Sequence, residues 1–396
     1  MLRGPGERGW VRVNRQRRGR LPAVGLVLGA ALLAACTSTS ASDPPTPSPP
    51  GTPPATTASA EPTVDPALAA DIEDWRGKRD TRTQIRSIIA SVDGQIVFEE
   101  YYGTTPDVAR DMESVTKSVM SALVGAAIAR GDLRSVDQTL AELLPSYAST
   151  MPPAGASVSL RQLLTMTAGV PDWDDLSGRE VMSSPDWVAA ILASIAPAAD
   201  GEFTYSNGSA HLVSAVLAQA TGRSVLDFAR EVLFDPLGID ASSAIEPLAV
   251  PSNFEDYKAA TFAWPVDPQE VNLGWSLLTL RPRDMLKIGE LHLNGGEWDG
   301  KQLLPATWVA DATTAQVKTY DTLVDYGYLW WVTTADQEAA YAAIGAGGQL
   351  IEVVPSRGLV VAVASEYDAI SPADLVEDPF DLKLMVDDLI APAVAR

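Results

Sequence analysis

Ser114 and Lys117 stand three residues apart in "MESVTKSVMSALVG", residues 112–125. Residues at that spacing share one face of a helix, which brings an amine within reach of a hydroxyl. Burial and the positive end of a helix dipole both disfavour an ammonium there, and a neutral amine could take the serine proton and leave a nucleophilic alkoxide. A plainer reading, a helix-capping serine and an exposed lysine, is the one the tetrapeptide alone favours. Downstream, 91 residues after Ser114, "GEFTYSNGSAHLVSAVLAQATG" carries Tyr205, Ser206 and Asn207 on a loop that enters another helix. Later still, "IGAGGQLIEVVP" sets Ala346, Gly347 and Gly348 in a glycine-rich turn at the head of a strand that begins near Gln349.

The elements that must hold these residues are legible in outline. Val115, Val119, Leu123 and Ala127 recur at i, i+4 and predict a helix with one buried stripe. "SIIASVDGQIVFEEYYG" (87–103) reads as two strands joined by an Asp93-Gly94 hairpin turn. "GGQLIEVVP" and "GLVVAVASE" are two further β-branched runs, and "FDLKLMVDDLIAPAVA" closes the chain as an amphipathic helix. Strands at both ends with helical segments between them predict a mixed α/β (α+β) fold, one antiparallel sheet flanked by helices with an inserted helical lobe.

Serine-lysine helix, Y-x-N loop and glycine-bearing strand, in that order, are the signatures of penicillin-recognising serine enzymes. With "RQLLTMTAGVPDW", "LTLRPRDMLKIGELHLNGGEWDGKQLLP" and "YGYLWW", they make nearly all of residues 75–390 resemble the class C β-lactamase-related serine hydrolases. That family includes D,D-peptidases, esterases and 6-aminohexanoate-dimer hydrolases, built on the β-lactamase/transpeptidase-like fold. The resemblance implies Ser114 as nucleophile, Lys117 as its activator and Tyr205 as the proton relay to the leaving group. It also implies Asn207 as the residue orienting Lys117 and substrate, and an oxyanion hole from the N–H groups of Ser114 and Gln349, the latter next to Gly348 on an edge strand. No cofactor is implied, and the substrate is a small amide or ester. Where penicillin-recognising members carry Lys or His, this chain has Ala346. That change points to the 6-aminohexanoate-dimer hydrolase and esterase side of the family. A D,D-carboxypeptidase or β-lactamase acting on peptidoglycan-like ligands, and a non-catalytic penicillin-binding scaffold lipoprotein, are the alternatives.

Trp173, on a loop with Asp174 and Asp175, and Trp331 are candidate pocket walls; period-two context in "YGYLWW" is expected to turn one of Trp330 and Trp331 to the core and the other to the cleft. Ser118 reads as structural. His211 and His292 are the only histidines and lack metal-ligand spacing, so no metal site is expected.

Composition sets the surroundings. The net charge of −22 and the absence of a basic stripe beyond residue 20 argue against nucleic-acid binding. One cysteine, Cys36, excludes an internal disulfide. Seven arginines, the apolar run "LPAVGLVLGAALLAA" and the lipobox-like "LAAC" predict a lipoprotein signal over 1–35 with lipidation at Cys36. Removing those residues takes away seven arginines and one glutamate and leaves −28, so the lipid rather than charge would hold the protein to the membrane. Residues 36–66, rich in Pro, Ser and Thr, are expected to be a disordered tether. Its reach at about 3.1 Å per residue is up to ~90 Å. The hydrolase domain would span 67–396, extracytoplasmic and anchored to the bacterial cell membrane.

Overall fold

The computed structural model describes residues 63–78, 84–171, 175–196, 201–242, 257, 260–321, 324–366 and 381–395. Cys36, the signal, most of the tether and Trp173 lie outside these residues. Thr63–Val64, at the end of the expected tether, pairs antiparallel with Val394–Ala395.

The Asp93-Gly94 turn forms as its sequence predicts. Both residues take positive φ, 49° and 79°, and join β1 (Ile85–Val92) to β2 (Gln95–Tyr101). Six more strands complete the sheet: β3 (Val317–Lys318), β4 (Asp325–Tyr326), β5 (Trp331–Ala335), β6 (Glu338–Gly345), β7 (Gln349–Val354) and β8 (Leu359–Ser365). Their order is β2-β1-β8-β7-β6-β5-β4-β3, and every neighbouring pair is antiparallel. β1, from the first hairpin, thus pairs with β8, the last strand of this sheet, and the stretch between β2 and β3 includes the inserted helical lobe. β7, which begins at Gln349, lies inside this order. It is therefore not an edge strand, as the family resemblance had suggested.

Helix α1 (Leu68–Gly77) precedes the sheet, and α2 (Val115–Arg130) follows β2. All residues of α2 from Val115 to Ala127 are buried, so the helix runs through the core instead of laying one stripe on it. Small residues make this feasible: Ser118, Ser121, Ala122, Gly125 and Ala126 let neighbours approach on every side. The lobe contributes α3 (Asn207–Thr221), which packs on α2, and α4 (Pro282–Leu293) packs on β1, β7 and β8.

Side-chain alternation along β7 separates two layers. Ile351 and Val353 face α4, against Gly289. Glu352 points the other way, toward Lys383 on the C-terminal helix α5 (Asp381–Met385), with 3.5 Å between Oε1 and Nζ. Among the described residues neither Glu352 oxygen has a hydrogen-bond partner, while Lys383 makes a 2.6 Å contact with Asp387. Burial therefore outweighs the attraction of Lys383, and the Glu352 carboxyl is pushed up to about 8. An unfolded glutamate titrates near ~4.3. Between these values the folded chain holds a proton that the unfolded chain lacks. Glu352 therefore lends stability that is complete below the unfolded value and lost as pH rises through about 8. The melting temperature should fall by roughly 3–6 °C more between pH 5.5 and 8.5 in the wild type than in Glu352→Gln. Equal slopes in the two proteins would refute this assignment.

Candidate active site

The entry to α2 answers the question that the tetrapeptide left open. Ser114 stands at the N-cap position but has helical dihedrals and makes no side-chain capping bond. Its Oγ instead accepts a 2.7 Å hydrogen bond from Lys117 Nζ. Lys117 is 1% exposed, so the plainer reading of a solvated lysine fails. Two more acceptors fix the amine: Asn207 Oδ1 at 2.8 Å and the Trp275 carbonyl at 3.1 Å. Nζ also lies 4.8 Å from the centroid of the Tyr205 ring. Ser114, Lys117, Tyr205 and Asn207 thus converge from α2 and from the start of α3.

The Y-x-N triplet is positioned by its middle residue. Ser206 is buried and caps α3, its Oγ accepting from Ser209 N at 3.2 Å and donating to Pro171 O at 3.1 Å. This capping bond fixes Asn207 as the first helical residue, facing Lys117, and leaves Tyr205 on the loop before it. Trp331 opens β5 and stacks on Tyr205 with ring centroids 5.5 Å apart and planes 18° apart. Trp330 is fully buried and Trp331 is buried beside it, so burial does not alternate over the pair as the period-two reading expected. Ser118 donates to Leu329 O at 2.7 Å and is structural.

The β6–β7 turn brings the third signature to the same place. Gly347 and Gly348 take φ of 69° and 95°, which suits glycine, and Ala346 beside them is exposed. At the end of β6, a Cβ added to Gly345 would lie 2.6 Å from Met112 O, so the turn abuts the segment leading into Ser114. The side chain of Gln349 is bound on both sides by Ser365, with Nε2 donating to its carbonyl at 2.9 Å and Oε1 accepting from its N–H at 3.1 Å. What Gln349 can offer a ligand is therefore its main chain.

Sequence reasoning missed several contributors. The Trp275 carbonyl has no side-chain signature. Its loop lies so close to α3 that a Cβ on Gly274 would meet Ala210 O at 2.2 Å. Asp267 braces the same loop: Oδ1 accepts from Gln269 N and Val271 N, and Oδ2 meets His211 Nε2 at 2.9 Å. His211 lies one turn beyond Asn207 on α3, so the pair ties together the two elements that supply acceptors to Lys117. Glu113, just before Ser114, takes a left-handed φ of 46° and donates its N–H to Asp111 Oδ1 at 2.7 Å. Burial, and then the charge of Asp111, push its carboxyl well above the usual range. The acid is visible in "DMESVTK", but its conformation is not. His292 donates from Nδ1–H to Ile288 O, 2.8 Å away, and burial pushes it down to about 4, so it is neutral at pH 7. Among the described residues no group of three or more His, Cys, Asp or Glu could hold a metal ion.

Residues 78–383 match the family model described as Beta-lactamase. The chain belongs to the Beta-lactamase family. Members of this family are serine hydrolases on the β-lactamase/transpeptidase-like fold, the fold seen here. Penicillin-binding protein 4 of Amycolatopsis lactamdurans is 25% identical over 283 residues, 65% of this chain and 72% of that one. Among solved structures, a Bacillus anthracis protein assigned as a 6-aminohexanoate-dimer hydrolase superposes with a TM-score of 0.63 at 17% identity, covering 82% of this chain and 80% of its own. The octameric penicillin-binding protein homologue of Pyrococcus abyssi gives 0.61 at 17% identity, covering 81% and 76%. The resemblance drawn from the three motifs and the Beta-lactamase match therefore agree on family and fold.

Proposed function

We propose that this protein hydrolyses small amides or esters through an acyl-enzyme on Ser114. The observation that carries the reading is the buried Lys117 amine, 2.7 Å from Ser114 Oγ and bound to two fixed acceptors. Asn207 Oδ1 and the Trp275 carbonyl occupy two N–H directions. In the neutral amine the lone pair then points at the Ser114 hydroxyl and accepts its proton as Oγ attacks the acyl carbon. Main-chain N–H groups of Ser114 and Gln349 are assigned to the oxyanion. The bond to the leaving group then breaks, and the departing oxygen or nitrogen takes the phenolic proton of Tyr205, which the proton held by Lys117 replaces. Water attacks the acyl-enzyme by the reverse relay and regenerates Ser114.

Tyr205→Phe tests the relay. The ring stays packed on Trp331, so loss should fall on proton transfer, roughly 10²- to 10⁴-fold in kcat for an anilide. A p-nitrophenyl ester, whose leaving group needs little protonation, should lose much less. Equal losses on both substrates would remove Tyr205 from this role.

A second reading, acylation by penicillin-type ligands, is favoured by the similarity to Penicillin-binding protein 4. Ala346 is exposed and uncharged where a substrate carboxylate would be met, which favours the ester and amide reading. Covalent labelling by a tagged penicillin at the rate of a fluorophosphonate would reverse that preference.

Anchoring through a lipid on Cys36 is proposed from "LAAC" and the Pro-rich stretch behind it. Cys36→Ser should appear in the medium or remain unprocessed. A fully processed variant that stays in the membrane fraction would refute the anchor.

A further inference from the structure

We propose that an aromatic subsite runs from Tyr205 outward to Tyr320 and receives the leaving group of the substrate, selecting esters and amides whose departing alcohol or amine is aromatic. The proposal rests on the hydrolase reading above, in which Tyr205 protonates the departing atom. Whatever leaves must therefore lie on the Tyr205 side of the scissile bond.

Five rings form a continuous row on that side. Tyr205 stacks on Trp331, and Tyr326 meets both edge-on, at 6.3 Å from Tyr205 and 4.9 Å from Trp331. Phe203 packs 6.1 Å from Trp331 and 5.2 Å from Tyr326, and Tyr320 packs 5.7 Å from Phe203. Exposure rises along the row. Tyr326 and Trp331 are buried and form its backing, Tyr205 and Phe203 are partly exposed, and Tyr320 is 73% exposed. An aromatic ring left this open on a folded chain, joined by ring contacts to a buried reactive centre, has the character of a ligand-facing surface.

Charge around the row supports an uncharged occupant. Lys318 on β3 and Asp325 on β4, the charged side chains of those two strands, pair with each other at 2.6 Å. Burial, and the nearby Tyr205 and Tyr320, keep the Tyr326 phenol protonated, well above its ordinary range. The wall therefore presents neutral rings, which prefer offset-stacked or edge-on aromatic partners.

The test compares three esters in the full chain: 2-naphthyl acetate, with the aromatic group on the leaving side; 2,2,2-trifluoroethyl 2-naphthoate, with it on the acyl side; and 2,2,2-trifluoroethyl acetate, with neither. Ratios of kcat/KM between wild type and variant cancel the intrinsic reactivity of each ester. In Tyr320→Ala, the kcat/KM ratio of 2-naphthyl acetate to trifluoroethyl acetate should fall roughly 3- to 10-fold, the value of one aromatic contact. Tyr320→Phe should restore it. The ratio of the naphthoate to trifluoroethyl acetate should hold. An unchanged naphthyl acetate ratio in Tyr320→Ala, or a larger fall for the naphthoate, would overturn the subsite alone. Failure of the wild type to turn over any of the three esters would overturn the hydrolase reading and the subsite with it.

Discussion

Ser114→Ala is expected to abolish turnover of every ester and amide substrate, to below about 10⁻³ of wild type, while the protein remains folded. The chemical half follows from the acyl-enzyme route: without Oγ there is no nucleophile, and only weak catalysis by the remaining groups survives. The structural half follows from what Ser114 does not do. It makes no side-chain capping bond, so the usual loss of ~1 kcal/mol for a removed cap does not apply in full. Lys117 Nζ keeps Asn207 Oδ1 and the Trp275 carbonyl as acceptors. Circular dichroism and a melting curve beside the kinetics would separate the two halves. Undiminished ester hydrolysis in Ser114→Ala would remove the nucleophile assignment.

Lys117→Met should be nearly as damaging to turnover, again about 10³-fold or more, because an unassisted hydroxyl is a poor nucleophile near neutral pH. Here stability also moves. Methionine keeps much of the length and volume of the stem but donates no hydrogen bond. Asn207 Oδ1 and the Trp275 carbonyl then face each other across a buried gap. Each unsatisfied acceptor costs about 1–3 kcal/mol, so the melting temperature should drop by several degrees. The two effects are separable by temperature: at 10 °C the variant should be folded and still inactive. Recovery of activity on cooling would show that Lys117 matters for folding alone.

How much of this was readable beforehand depends on where each contribution sits. Ser114 with Lys117, and Tyr205 with Asn207, are pairs within a single turn of chain, so residue type and local period suffice to place them. The Asp93-Gly94 hairpin is local for the same reason. The buried stripe expected on α2 became burial all round. A hydrophobic period finds the most apolar face, yet whether the opposite face meets water depends on what packs there, and the small residues of α2 admit neighbours on every side. The edge-strand expectation for Gln349 failed because strand order is a long-range property; β3 to β6 lie beyond it and no local pattern reports them. The Trp275 carbonyl and the left-handed Glu113 are backbone features, which side-chain types do not encode. The row joins two stretches, 203–205 and 320–331, more than a hundred positions apart, so no local pattern reports it.

The central claim is that Ser114 Oγ is the atom that becomes acylated, and covalent capture tests it most directly. Purified protein treated with a fluorophosphonate should gain the mass of one phosphonyl group, and peptide mapping should place it on Ser114. Ser114→Ala and Lys117→Met should show no adduct under the same conditions. An adduct on any other residue, or a folded wild-type protein that gains no mass, would contradict the account.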